Sequence, residues 1–180
     1  MPDEHPRVNR DDIAADLERV RIEFHRLVEA ALPDDWGKPT LGTRWTNEQL
    51  LFHMVFGYMV VQRLLVLVRI FSRLPKRMSR IHAKILGAAT RPFHVINYYG
   101  SCSAALVYNR RRMGAKLDRV IASLQRQLAS EKDAEFARGM HYPTQWDPFF
   151  EDYMTLADLY RYPGRHFDFH ARQLTISPDQ

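Results

Sequence analysis

Cysteine is almost missing from this sequence. With Cys102 as the single thiol, an intramolecular disulfide framework and a cysteine-rich zinc module are both excluded, so any metal must be held by histidine and carboxylate. The opening residues, MPDEHPRVNRDD, are polar and place no apolar stretch behind a basic one, so no secretory leader is expected and the expected location is cytoplasmic. Phosphate loops and dinucleotide fingerprints are lacking as well. The GSCSA stretch around Cys102 has small neighbours but neither a glycine-framed nucleophile elbow nor an identifiable base, which leaves an inert buried thiol as its reading. Strand-like alternation, internal repeats and low-complexity tracts are not found either.

What is present is a chain of 180 residues, 46% of them hydrophobic, enough for one domain over 1–180 with a core of its own. The most apolar run, Leu50 to Phe71, approaches the length of a membrane span. His53, Gln62, Arg63 and Arg69 interrupt it, and a central arginine is expensive in lipid, so the run reads as a buried helix. The net charge of +5 is concentrated in RIFSRLPKRMSRIHAK and NRRRMGAK. Such stretches attract phosphate groups or anionic lipid, although a solvated basic face is the plainer reading. No nucleic-acid recognition motif accompanies them, so specific nucleic-acid binding is not expected.

The periodicity is helical almost throughout. Ile13, Leu17, Val20, Phe24, Leu27 and Ala31 recur in steps of three and four between Asp11 and Ala31, one face of a first helix. Pro33 and the PDDWGKPTLG stretch end it. A second helix starts at Thr46, where TNEQ supplies a capping box with Gln49, and runs at least to Phe71. Pro75 breaks it. An amphipathic helix is expected around Met78 to Leu86, followed by another break at Pro92. Met113, Leu117, Val120, Leu124 and Leu128 mark a third long helix between Asn109 and Leu128. The aromatic loop HYPTQWDPFFEDY then leads to a last helical segment, TLADLYRYPGRHFDFHARQL, which Pro163 must break or kink unless it opens a new helix. The fold expected is all-α: an antiparallel four-helix bundle with an additional helical segment between helices 2 and 3.

Within that bundle His166 and His170 share one side of the last helix, with Cβ atoms roughly 6 Å apart. Two imidazoles so placed can hold one divalent ion, but the spacing alone equally describes two solvated residues. His53 sits in the apolar run QLLFHMVFGYM, where an imidazole without a partner costs desolvation. It is either a hydrogen-bonded core residue or a third ligand brought in by a facing helix. His25 reads as structural or solvated, and His82 and His94 as exposed. His141, Tyr142, Trp146, Phe149 and Phe150 belong to a loop that overhangs a pocket or packs as a plug. Asp168, two residues from each histidine of the pair, should point away from them, and no catalytic residue is singled out.

Trp45 followed by TNEQLLFHM, together with the terminal YPGRHFDFHARQL, resembles the DinB-like (DinB/YfiT-like) superfamily of bacterial four-helix proteins. The resemblance implies a three-histidine metal site, carried here by His53, His166 and His170. The ion expected is divalent, zinc ahead of nickel or iron, since histidine-only sites accept zinc, nickel, iron and copper. The insertion from about residue 72 to residue 105 departs from the compact members and reshapes the mouth of the pocket. Three neutral imidazoles leave the ion its full Lewis acidity and an open position for a water or a thiol. The resemblance implies thiol transferases that use low-molecular-weight thiols such as mycothiol or bacillithiol, so the expected activity is transfer of such a thiol to a small electrophilic substrate. Metal-dependent hydrolysis is the alternative, and a non-catalytic binding module with a structural metal is the other. Peripheral membrane contact through the basic insertion, and a homodimer through an exposed apolar helix face, stand as partner expectations.

Overall fold

Asparagine and threonine caps set the starts of three of the main helices. A computed structural model describes residues 9–176; the polar stretch from Met1 to Val8 lies outside them. Six α-helices follow in the order α1 (Arg10–Ala30), α2 (Asn47–Phe71), α3 (Lys76–Ala88), α4 (Thr90–Val107), α5 (Met113–Ser130) and α6 (Leu156–Ala171). The Asn9 side chain accepts from the backbone N–H groups of Asp11 and Asp12, whose own carboxylates suit the positive end of α1. Thr46 and Gln49 form the capping box expected of α2, and Thr155 and Asp158 form a second one for α6. Each box satisfies two N–H groups that the helix cannot.

The periodic residues become the core. Ile13, Leu17, Val20 and Phe24 of α1 and Met113, Leu117, Val120, Leu124 and Leu128 of α5 are all buried. They meet Leu50, Leu51, Val61 and Leu65 of α2 and Leu159 and Phe167 of α6 in one apolar cluster. α2 is long and apolar enough to cross a membrane, yet most of its buried residues belong to this cluster and Arg69, near its end, pairs with Glu131. It is a core helix.

Pair contacts fix the directions. Arg10 donates to the Leu128 carbonyl at 3.2 Å, and His25 meets Asp118 at 2.9 Å, so α1 and α5 are antiparallel. Asn47 reaches Thr175 just beyond α6 at 3.0 Å, so α2 and α6 are antiparallel too. Glu48 accepts from the Arg110 N–H beside the start of α5, and Arg69 donates to Gln127 near its end. α2 and α5 therefore run the same way, which no short loop can accomplish. The insertion supplies the return: α3 turns away from the end of α2, and α4 runs back along α2 until Tyr108 stacks on Phe52.

Three local expectations change. The break expected at Pro92 falls at Ala89, between α3 and α4; Pro92 itself lies in the first turn of α4, where its missing N–H has no intrahelical acceptor to serve. Pro163 lies inside α6, which continues through it. That costs the Leu159 carbonyl its usual donor, and the turns on both sides, with Leu159, Tyr160, His166 and Phe167, are buried. The third change is a two-stranded antiparallel ladder, β1 (Gly139–His141) with β2 (Tyr153–Thr155), too short for any alternating pattern to announce it.

Removing the hydroxyl in Thr46→Ala should lower unfolding stability by about 1 kcal/mol in urea titrations. His94→Ala, at an exposed position on α4, should stay within about 0.5 kcal/mol of the parent.

Candidate metal centre

The α2–α6 pairing puts His53, two turns into α2, opposite His166 and His170 on α6. Ring centroids are 5.2 Å apart for His53 and His166, 5.0 Å for His53 and His170, and 4.5 Å for His166 and His170. One nitrogen from each ring lies within 4.8 Å of the other two, and all three residues are buried.

Neighbours from three separate segments orient the rings. The His53 Nδ1 is 3.2 Å from the Ser101 hydroxyl of α4, and the His170 Nδ1 is 2.7 Å from the Gln173 side-chain oxygen. Nε2 of both rings is left for a ligand. Trp45 stacks on His53 with centroids 4.3 Å apart. His166 is different. Among the described residues its Nδ1 is buried without a hydrogen-bond partner, and its Nε2 has only an Asp147 carboxylate oxygen 3.7 Å away. The ring lies so close to α2 that a β-carbon on Gly57 would stand 3.1 Å from Nδ1, so glycine is what admits it. A buried imidazole satisfied at neither nitrogen is costly unless something else binds it. That deficit, with two further nitrogens converging on it, fits a metal ion.

Protonation agrees. Burial pushes His53 down to about 3, aided by His170, and burial also holds His166 well below its ordinary value, with His53 and His170 adding to the effect. Burial lowers His170 as well, against the pull of Gln173 and Asp147. At neutral pH the rings are uncharged, the form that ligates.

On one side the histidines face a cavity of about 250 Å³. Phe56, Val60 and Leu64 of α2, Phe93 of α4, and Trp146 and Phe150 of the loop after β1 make its apolar wall, and among the described residues no Lys or Arg lines it. Asn97 and Asp147 are its polar members besides the histidines and Tyr162. One Asp147 oxygen accepts from the Phe149 N–H at 2.8 Å, the other from the Tyr162 hydroxyl at 2.8 Å. Burial pushes the Asp147 carboxyl up from its ordinary value. Trp146 stacks on Phe93 at 3.8 Å and donates to the Leu86 carbonyl, so insertion and loop close the cavity together.

The other candidates separate cleanly. Asp168 points away and meets Arg19 of α1 at 3.0 Å. His25 is held by Asp118, and His94 is exposed. His82, expected to be exposed, is instead half-buried against Phe71, with ring centroids 4.7 Å apart. His141 is buried beside Asp152 and away from the cavity, and Tyr142 is buried too; of the loop's described aromatic side chains, Trp146 and Phe150 line the site. Ser101, Gln173, Asn97 and Asp147 were not anticipated. They reach the site from segments whose approach no spacing rule encodes.

An unfolded imidazole takes up its proton near 6.5, whereas folded His53 resists until about 3. Between those values the unfolded chain binds more protons, so stability present above pH 6.5 is lost as pH falls toward 3. The raised Asp147 carboxyl acts in the opposite sense, only at the acid end. The melting temperature of metal-free protein should therefore fall steadily through this window in scanning fluorimetry, and His53→Leu should flatten the decline.

The DinB superfamily model matches residues 16–174 of the chain. No curated protein and no solved structure matches it.

Proposed function

The chain belongs to the DinB superfamily, and on that footing we propose that it is a metal-dependent enzyme. It holds one divalent ion, zinc ahead of nickel or iron, on His53, His166 and His170, and transfers a low-molecular-weight thiol to a small electrophilic substrate. The observation that carries the metal is His166, buried between two helices with neither ring nitrogen satisfied. The cavity carries the catalysis. A structural site is closed by a fourth protein ligand, and among the described residues no Cys, Asp or Glu joins the three histidines.

A divalent ion held there supplies Lewis acidity, which lowers the pKa of a thiol or water in its open position. The chain's own residues do the rest. Trp45, Ser101 and Gln173 keep the imidazoles aimed, so no reorganisation is needed during reaction. Asp147, bonded by Tyr162 and Phe149 and facing the histidines, accepts the thiol proton. The sulfur electron pair forms the new bond to the electrophilic carbon, and the displaced pair departs with the leaving group, which Asp147 can then protonate. Phe56, Val60, Phe93 and Trp146 hold an apolar electrophile and exclude water. That dry wall favours a thiol over water as nucleophile and ranks hydrolysis second.

Elemental mass spectrometry on untagged protein should find about one divalent ion per chain. His53→Ala and His170→Ala should lose it, and His94→Ala should keep it. Asp147→Asn should retain the metal while thiol transfer to a model electrophile drops on the order of a hundredfold. Stoichiometric metal retained in His53→Ala would remove the three-histidine reading.

A further inference from the structure

The insertion is packed inside out. On α3 the residues turned to the protein are small, Ser79 and Ala83, while Met78, Ile81 and Ile85 recur in steps of three and four on a stripe left in solvent; Ile85 is 64% exposed and Ala83 8%. α4 repeats the arrangement. Its buried residues are Ser101 and Ala105, and Val95, Ile96, Tyr99 and Leu106 project from the opposite side. Of the fourteen exposed large hydrophobic side chains among the described residues, eleven fall between Val66 and Val107. A helix that buried its best apolar face would show the reverse pattern. Concentration on this scale marks an interaction surface rather than scatter.

Charge identifies what covers it. Between Glu48 and Asp118 the sequence contains twelve Lys or Arg and no Asp or Glu. On α3, Arg77, Arg80 and Lys84 follow one another in steps of three and four beside the aliphatic stripe, all exposed. Among the described residues none of Arg73, Arg77, Arg80, Lys84 and Arg91 has a carboxylate partner. A second copy of the chain would bring two such cationic faces together, and like charges oppose that pairing. A bilayer carrying anionic headgroups meets both demands at once: phosphates for the cations and an acyl boundary for the aliphatics.

We propose that the α3–α4 insertion docks this protein on an anionic membrane surface. Ile81 and Ile85 enter the headgroup–acyl boundary, and Arg77, Arg80 and Lys84 meet lipid phosphates. The helices lie on the membrane and do not span it. α4 also lends Phe93 and Asn97 to the cavity and Ser101 to His53, so the docked face adjoins the site's cover and an apolar substrate dissolved in the bilayer has a short route to it.

Flotation of the full-length protein with phosphatidylglycerol vesicles, beside phosphatidylcholine vesicles, tests the surface without reference to the metal. Binding to the anionic vesicles alone is expected, weakening as sodium chloride is raised. The triple change Arg77→Gln, Arg80→Gln, Lys84→Gln should weaken it about a hundredfold. Ile81→Asp with Ile85→Asp should weaken it at least about tenfold, while Ile22→Asp, an exposed aliphatic of α1, leaves it unchanged. Circular dichroism checks that each variant is folded. No binding, equal binding to the neutral vesicles, or full binding by the folded Ile81/Ile85 variant overturns the proposal. A dimer in analytical ultracentrifugation that the Ile81/Ile85 change abolishes also overturns it, and assigns the face to a second copy.

Discussion

Everything in this structure answers to three imidazoles buried side by side at the contact of α2 with α6. Desolvation alone would drive such groups apart or out to water. Here each stays in, because a neighbour fixes it: Ser101 and Trp45 for His53, Gln173 for His170, and for His166 the bare backbone at Gly57. The arrangement leaves His166 short of partners by its own hydrogen bonds. A metal ion would repair that deficit, and the family to which the chain belongs is compatible with one.

The rest of the fold serves that contact. α1 and α5 complete the core behind α2 and α6, and Arg19 of α1 takes Asp168 out of the site by pairing with it. The same-direction course of α2 and α5 demands a long return, which the insertion provides. Having crossed the molecule, α4 is placed to contribute Ser101, Asn97 and Phe93 to the site. Its outer surface, together with that of α3, remains apolar and basic, a combination the helical core does not require.

Much of the framework was legible from residue spacing. The steps of three and four on α1 and α5 locate buried faces because burial on a helix has that period, and Thr46 with Gln49 locates the start of α2 because capping is local chemistry. The histidines were legible only in part. Spacing offered His166 and His170; His53 stood out as an imidazole in an apolar run, either a core residue or a third ligand, and the resemblance joined it to the pair. The break expected at Pro92 lies at Ala89, just before its helix turn, and Pro163 does not end α6, because tertiary packing that local rules do not weigh carries it. His82 looked solvated because its neighbours are basic, yet Phe71 covers it. Asp147 and Ser101 were silent, since their meaning lies in contacts with residues far away in sequence.

X-ray absorption at the zinc edge of the zinc-loaded protein tests the central claim most directly. The account predicts three imidazole nitrogens at about 2.0–2.1 Å and one exchangeable oxygen, replaced by sulfur when a small thiol is added. A shell with fewer than three imidazoles, or one closed by a fourth protein ligand that no thiol displaces, would contradict it.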